Sequence, residues 1–165
     1  MAINNLFYSI IYVDSKKIPT SFIPNNPFIF TCDFNNKKII IKQTNKMLKK
    51  EIIIHYNEIT NTELTICSRF RGAPISMLPT MFYNFNLYIC TNKNEYNIEF
   101  QANFRFKEVI NLFKRNKILF TDKLNIFDMF VDEKTFDTSF YNYFNKNFEA
   151  LSKKYKLDNP RIGYK

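Results

Sequence analysis

His55 is the only histidine in the chain, so proton transfer near neutral pH has a single obvious candidate. It lies in the strand-like run Glu51 to Ile59, where a hydrogen-bonded or edge-exposed imidazole is the ordinary outcome. Cys32, Cys67 and Cys90 are widely spaced and odd in number, matching neither a disulfide framework nor the paired spacing of a zinc site. No local signature joins any of them to His55 as an activated nucleophile. Gly72 and Gly163 are the only glycines, which leaves no Walker loop and no dinucleotide fingerprint. Asp128, Asp132, Glu133 and Asp137 cluster where a last helix should begin, and capping and helix-dipole roles account for them. Glu58 and Glu63 flank a strand junction. The inventory yields no catalytic, cofactor-binding or metal-ligating set, and the expectation is a non-enzymatic protein without a cofactor.

Charge suggests partners instead. The formal charge of +9 comes from 24 Lys and Arg against 15 Asp and Glu, which suits nucleic acid, an anionic membrane or an acidic protein. The 19 Phe, 10 Tyr and abundant Asn, Lys and Ile also fit AT-rich coding, which places lysine at any solvated position. Four basic clusters stand out: Lys46, Lys49 and Lys50 at a turn; Arg69 and Arg71 at a loop entrance; Lys114, Arg115 and Lys117; and Lys153, Lys154 and Lys156. Lys46, Lys49 and Lys50 are the candidate anion or lipid contacts, each worth ~1 kcal/mol beside an anionic surface. Single-stranded nucleic acid is a third reading, in which exposed aromatics stack on bases. Against it, Tyr88, Tyr96, Phe100, Phe104 and Phe113 fall where a hairpin and its helix need core residues.

The elements that must position these groups follow from periodicity and turn chemistry. Leu6 to Val13 is aromatic and β-branched, too short to span a bilayer, and ends at Asp14-Ser15: a strand and a turn, with an N-terminal helix as the alternative. Phe28 to Asp33 and Lys37 to Gln43 form a hairpin, with Asn35 and Asn36 expected at positive-φ turn positions. Strands follow at Glu51 to Ile59 and at Thr62 to Ser68. Arg69 to Asn84, with Gly72, Pro74 and Pro79, reads as one long hydrophobic loop. Leu87 to Phe100 is a second hairpin around Asn92-Lys93-Asn94. A helix from Asn103 to about Lys117 carries the stripe Phe106, Val109, Ile110 and Phe113. A final helix from Asp132 to about Leu157 carries Phe136, Phe140, Phe144, Phe148, Leu151 and Tyr155 as a seam to be covered, by the protein's own sheet or by a partner.

The run of strands, the junction Ile52-Ile53-Ile54-His55-Tyr56-Asn57-Glu58-Ile59-Thr60 and the late hairpin handing directly to a helix resemble a bacterial PH-like domain of the PH/GRAM superfold, over roughly residues 22–117. The resemblance implies a partly open barrel plugged by a helix, and a module that binds proteins or anionic lipids. The long loop, the helical extension at about 118–157 and the N-terminal run depart from that pattern, and no phosphoinositide-binding signature carries over.

The combined expectation is one α+β domain over residues 1–165: a strongly bent antiparallel sheet or partly open barrel, a capping helix and a C-terminal amphipathic helix. Its expected role is an intracellular adaptor or recruitment module, in the cytoplasm or peripheral to a membrane. A protein partner is expected at Arg69, Phe70, Arg71, Met77, Leu78, Met81 and Phe82 on the loop and at Phe140 and Phe144 on the seam. Exposed Met, Phe and aliphatic groups mark interfaces. A homodimer through the final helix is a further expected use of the seam.

Overall fold

The computed structural model describes residues 6–17, 30–44, 51–71, 80–123, 125–126, 128–129, 140–157 and 161–162. In chain order the elements are β1 (Leu6–Val13), β2 (Lys16–Lys17), β3 (Phe30–Phe34), β4 (Lys38–Gln43), β5 (Glu51–His55), β6 (Ile59–Arg71), β7 (Thr80–Thr91), β8 (Glu95–Gln101), α1 (Phe106–Arg115), β9 (Phe120–Asp122), α2 (Phe140–Lys146), α3 (Phe148–Tyr155) and β10 (Arg161–Ile162). The class is α+β. The strands form one sheet in the order β10-β6-β7-β8-β1-β3-β4-β5, which does not close into a barrel. β2 pairs with β1, and β9 pairs with β6. The main meander is antiparallel, as expected, but β9 and β10 both run parallel to β6, so the sheet is mixed.

The turns are built by side chains. Asn35 does not supply a positive-φ turn; its Oδ1 accepts from the N–H groups of Lys37 and Lys38 at 3.0 and 3.1 Å. At the second hairpin, Thr91 Oγ1 accepts from the N–H groups of Lys93 and Asn94. A short polar side chain that takes two turn amides replaces the left-handed backbone. Among the described hairpin turns, β1–β2 alone uses left-handed residues, Asp14 and Ser15 at φ 48° and 63°.

The loop read over Arg69 to Asn84 is much shorter in the structure. β6 extends to Arg71 and β7 begins at Thr80, with Arg69 paired to Phe82 and Phe70 to Met81. Strand pairing holds wherever backbone groups find partners, and the Gly72, Pro74 and Pro79 signals fall in residues 72–79, outside the described residues.

One sheet face carries the core. Phe7, Ile11, Leu64, Ile66, Phe85, Leu87, Ile98 and Phe100 alternate onto it with period two, and α1 covers them with Phe106, Val109, Ile110 and Phe113. Phe106 lies 5.1 Å from Phe100 and 6.1 Å from Phe7, ring centre to ring centre. The helix starts three residues after Asn103 and stops at Arg115. Lys117 adopts φ 56° and the Ile118 N–H reaches back to the Phe113 carbonyl, a left-handed stop that ends the helix before the lysine predicted as its last residue.

The C-terminal seam is core. Phe140, Phe144, Phe148, Leu151 and Tyr155 are buried, with Phe85 5.5 Å from Phe144 and Tyr83 stacked 3.6 Å from Phe148. The protein-binding and homodimer roles expected of Phe140 and Phe144 are therefore corrected: both rings are used up by the sheet, because four-residue spacing suits any apolar cover. The single predicted helix divides at Asn147, whose backbone leaves helical geometry at φ −109°; the Tyr143 carbonyl accepts there from both the N–H and the Nδ2 of Asn147, at 3.0 and 2.9 Å. Its predicted first residues, including Phe136, lie outside the described residues.

Docking of α2 also completes the sheet. β8 reaches only Asn84 on its neighbour, and the next residue, Tyr83, finds its partners in Asn145. Asn145 Oδ1 accepts from the Tyr83 N–H at 2.6 Å, and its Nδ2 donates to the Tyr83 carbonyl at 3.1 Å. One amide imitates a strand residue.

Phe144→Ala should lower stability by about 3–5 kcal/mol in urea denaturation, the cost of a large buried ring. Asn145→Leu should lower it by about 1–3 kcal/mol by leaving strand groups unpaired. If both melt like the wild type, α2 does not cover the sheet.

Candidate functional site

The second face of the sheet has two halves of opposite character. Over β6, β7, β8 and the end of β1 it is polar yet buried. Arg69 forms a two-pronged ion pair with Glu99 and donates to Tyr12 Oη at 2.6 Å. Glu99, at 0% exposure, also accepts from Asn84 Nδ2 at 2.7 Å. Beside it, Asn86 Nδ2 donates to Thr65 Oγ1 and Asn97 Oδ1 at 3.2 and 3.1 Å. Register explains the grouping: Glu99 faces Asn86 across β8–β7, Asn86 faces Thr65 across β7–β6, and Glu99 faces Ile10 across β8–β1. Asn84 Oδ1 is buried without a partner among the described residues, its amide being taken by the Glu99 carboxylate.

The electrostatics follow from burial. The hydrogen bond to Glu99 raises the Arg69 guanidinium further above its already high value. Burial, reinforced by Glu99, pushes the Cys67 thiol well up. Burial raises the Tyr12 phenol, and Arg69 works against it. Arg69 is thus held cationic and Tyr12 and Cys67 neutral, which suits a fixed structural network. Arg69, expected to rim a docking loop, instead ties β6 to β8 and β1.

The other half of this face is open. Leu6 pairs with Asp33, Asp33 with Ile40, and Ile40 with Ile53, so these side chains form one row across β1, β3, β4 and β5. Tyr8, Thr31, Lys42 and Glu51 form the next row. Leu6, Tyr8 and Ile53 are 44%, 61% and 41% exposed, and Lys42 Nζ lies 3.3 Å from Glu51. An aromatic and three aliphatic side chains beside a polar row have the composition of a protein interface.

This open half ends at the sheet edge. Tyr56 N–H donates to the Lys37 carbonyl at 3.3 Å, so alternation turns the backbone groups of Ile52 and Ile54 toward β4 and those of Glu51, Ile53 and His55 away from it. The His55 N–H is taken by Glu58 Oε2 at 3.2 Å. Among the described residues no strand pairs with β5 on that side. At its His55 end lies a pocket of about 210 Å³ lined by Ile53, His55, Glu58, Lys93, Asn94 and Tyr96, among others.

Only part of the expected site falls within the described residues. Met77, Leu78, Lys46, Lys49 and Lys50 lie outside the described residues. Phe70 and Arg71 contribute backbone to β6. Met81 is exposed at the start of β7 and Phe82 is half-buried. Sequence reasoning missed Leu6, Tyr8, Ile40 and Ile53, because each sits in a nearly continuous apolar run that does not distinguish one strand face from the other. It also missed the polar network, whose signal was the alternation Asn84-Phe85-Asn86-Leu87 facing Asn97-Ile98-Glu99-Phe100.

Arg69→Met should cost about 3 kcal/mol, because it strands a buried carboxylate, and adding Glu99→Met should recover most of that loss in urea melts. Stability should also fall as pH rises above the ordinary thiol value of 9.0, since Cys32 and Cys67 keep their protons when folded and release them when unfolded. Replacing both with Ala should flatten the slope between pH 9.0 and 10.0, below the range where the raised Tyr12, Tyr56 and Tyr88 phenols add to it; an unchanged slope there would place its origin elsewhere. No family model, curated protein or solved structure matches this chain.

Proposed function

We propose that this chain is a non-enzymatic recruitment module that binds a protein partner through the open quarter of its sheet. The observation that carries the reading is the exposure of Leu6, Tyr8 and Ile53 on a face that is buried elsewhere, continuous with a β5 edge that no strand pairs among the described residues. Apolar groups exposed together beside an open strand edge suit an extended peptide, whose backbone extends the sheet while its side chains lie along the two rows. The direct passage of the β7–β8 hairpin into α1 supports a PH-like origin for the domain. That superfold serves protein binding as well as lipid binding, so the site carries the functional argument.

Displaying random peptides to the folded protein should enrich an extended motif with alternating apolar residues. Tyr8→Asp should weaken the selected peptides about tenfold or more while leaving the melting temperature within a few degrees, since Tyr8 is solvated. Failure to enrich any motif, together with salt-resistant sedimentation on anionic vesicles, would replace this reading with membrane recruitment.

A further inference from the structure

We propose that the occupant of the β5 edge is β5 of a second copy, paired antiparallel about a two-fold axis at Ile53. The inference rests on the reading of this quarter as a protein-binding surface and names its partner. The sequence Glu51-Ile52-Ile53-Ile54-His55 is suited to this pairing in three independent ways.

The first is backbone direction. Glu51, Ile53 and His55 point their N–H and C=O groups outward, so a two-fold at Ile53 makes the two Ile53 residues a hydrogen-bonded pair that exchanges both bonds. The same operation sets Glu51 opposite the partner's His55. The Glu51 N–H then meets the partner's His55 carbonyl, while the His55 N–H stays with Glu58. The Glu58 cap closes one end of the edge and limits the pairing to this short register.

The second is the side-chain face. Ile53 is 41% exposed and stands beside Ile40 in the row from Leu6. Two-fold pairing joins this row to its symmetry mate, giving a continuous stripe Ile40, Ile53, Ile53, Ile40 across the junction. Each exposed Ile53 becomes covered by the other.

The third is charge. On the same face Lys38 stands beside His55 and Lys42 beside Glu51. The flanking row in the pair then reads Lys38, His55, the partner's Glu51 and the partner's Lys42. The carboxylate lies between basic groups on both sides, and the arrangement occurs twice by symmetry. A parallel pairing, or a slip by one residue, loses this match; a slip by one also turns Ile53 to the wrong face. The short strand makes the association reversible and concentration-dependent.

Sedimentation velocity on the full chain, from low micromolar to near millimolar concentration, tests the proposal. A monomer–dimer equilibrium is expected, with Glu51→Lys weakening it about tenfold because every substitution acts twice in a two-fold interface. The swapped pair Glu51→Lys with His55→Glu should restore the dimer, which no general loss of stability would do. In a mixture of labelled and unlabelled protein, isotope-filtered NOEs should connect Ile53 to Ile53 across the two copies. A chain that stays monomeric, or a dimer indifferent to Glu51→Lys, overturns the self-pairing. If the monomer still binds selected peptides in a Tyr8-dependent way, the recruitment reading survives alone; if neither association occurs, both fall.

Discussion

Glu99 places a carboxylate in the middle of a sheet with no exposure to water, and the fold is arranged around satisfying it. An isolated buried carboxylate would cost several kcal/mol, so the charge needs a cation and hydrogen bonds from fixed directions. Arg69 supplies the cation from β6, Asn84 an amide from β7, and Tyr12 holds the guanidinium from β1. These groups meet only if all four strands are in register. A one-residue slip in any pair would carry a polar group into the aromatic core and leave the carboxylate alone. The network therefore acts chiefly on the choice among alternative pairings, since well-packed apolar residues would serve stability at least as well.

The two faces of the sheet divide the labour. The core face is closed by α1 and by the Phe140–Tyr155 seam, and its aromatic rings meet mostly edge to face. The second face is fixed by polar bonds over β6, β7 and β8 and left open over β3, β4 and β5. A rigid half thus carries an accessible half, and β1 joins them: its first residues are exposed on that face and its later ones are buried.

Much of this was legible in the sequence where local chemistry decided the outcome. The Tyr96-Ile98-Phe100 alternation and the Phe106-Val109-Ile110-Phe113 stripe led directly to β8 and α1. Asn35 marked its turn, though it works through its side chain. The long loop was misread because Arg69, Arg71 and Asn84 look solvated in isolation; Arg69 belongs in a strand only because Glu99 waits thirty residues later. The same long-range dependence hid both halves of the second face. Period-two alternation says that a strand has two sides, but not which side another part of the chain will cover. The candidate site was therefore less legible than the fold: Tyr8 and Ile53 look like any other members of apolar runs.

The position of β1 has a consequence for how the molecule is assembled. It is the first described strand in the chain, yet it lies between β3 and β8, and its register to β8 joins residues more than eighty positions apart. During synthesis, β1, β3, β4 and β5 can pair as soon as they emerge, but the inner edge of β1 must wait for β8. Closing so large a loop is entropically costly and slow, and non-local pairing of this kind governs folding rates. Until β8 arrives, the half-sheet has an unpaired edge on each side, and α1, which covers the Phe7 ring, is still unmade. The interval between these two events is when the chain is most exposed to pairing with the wrong strand.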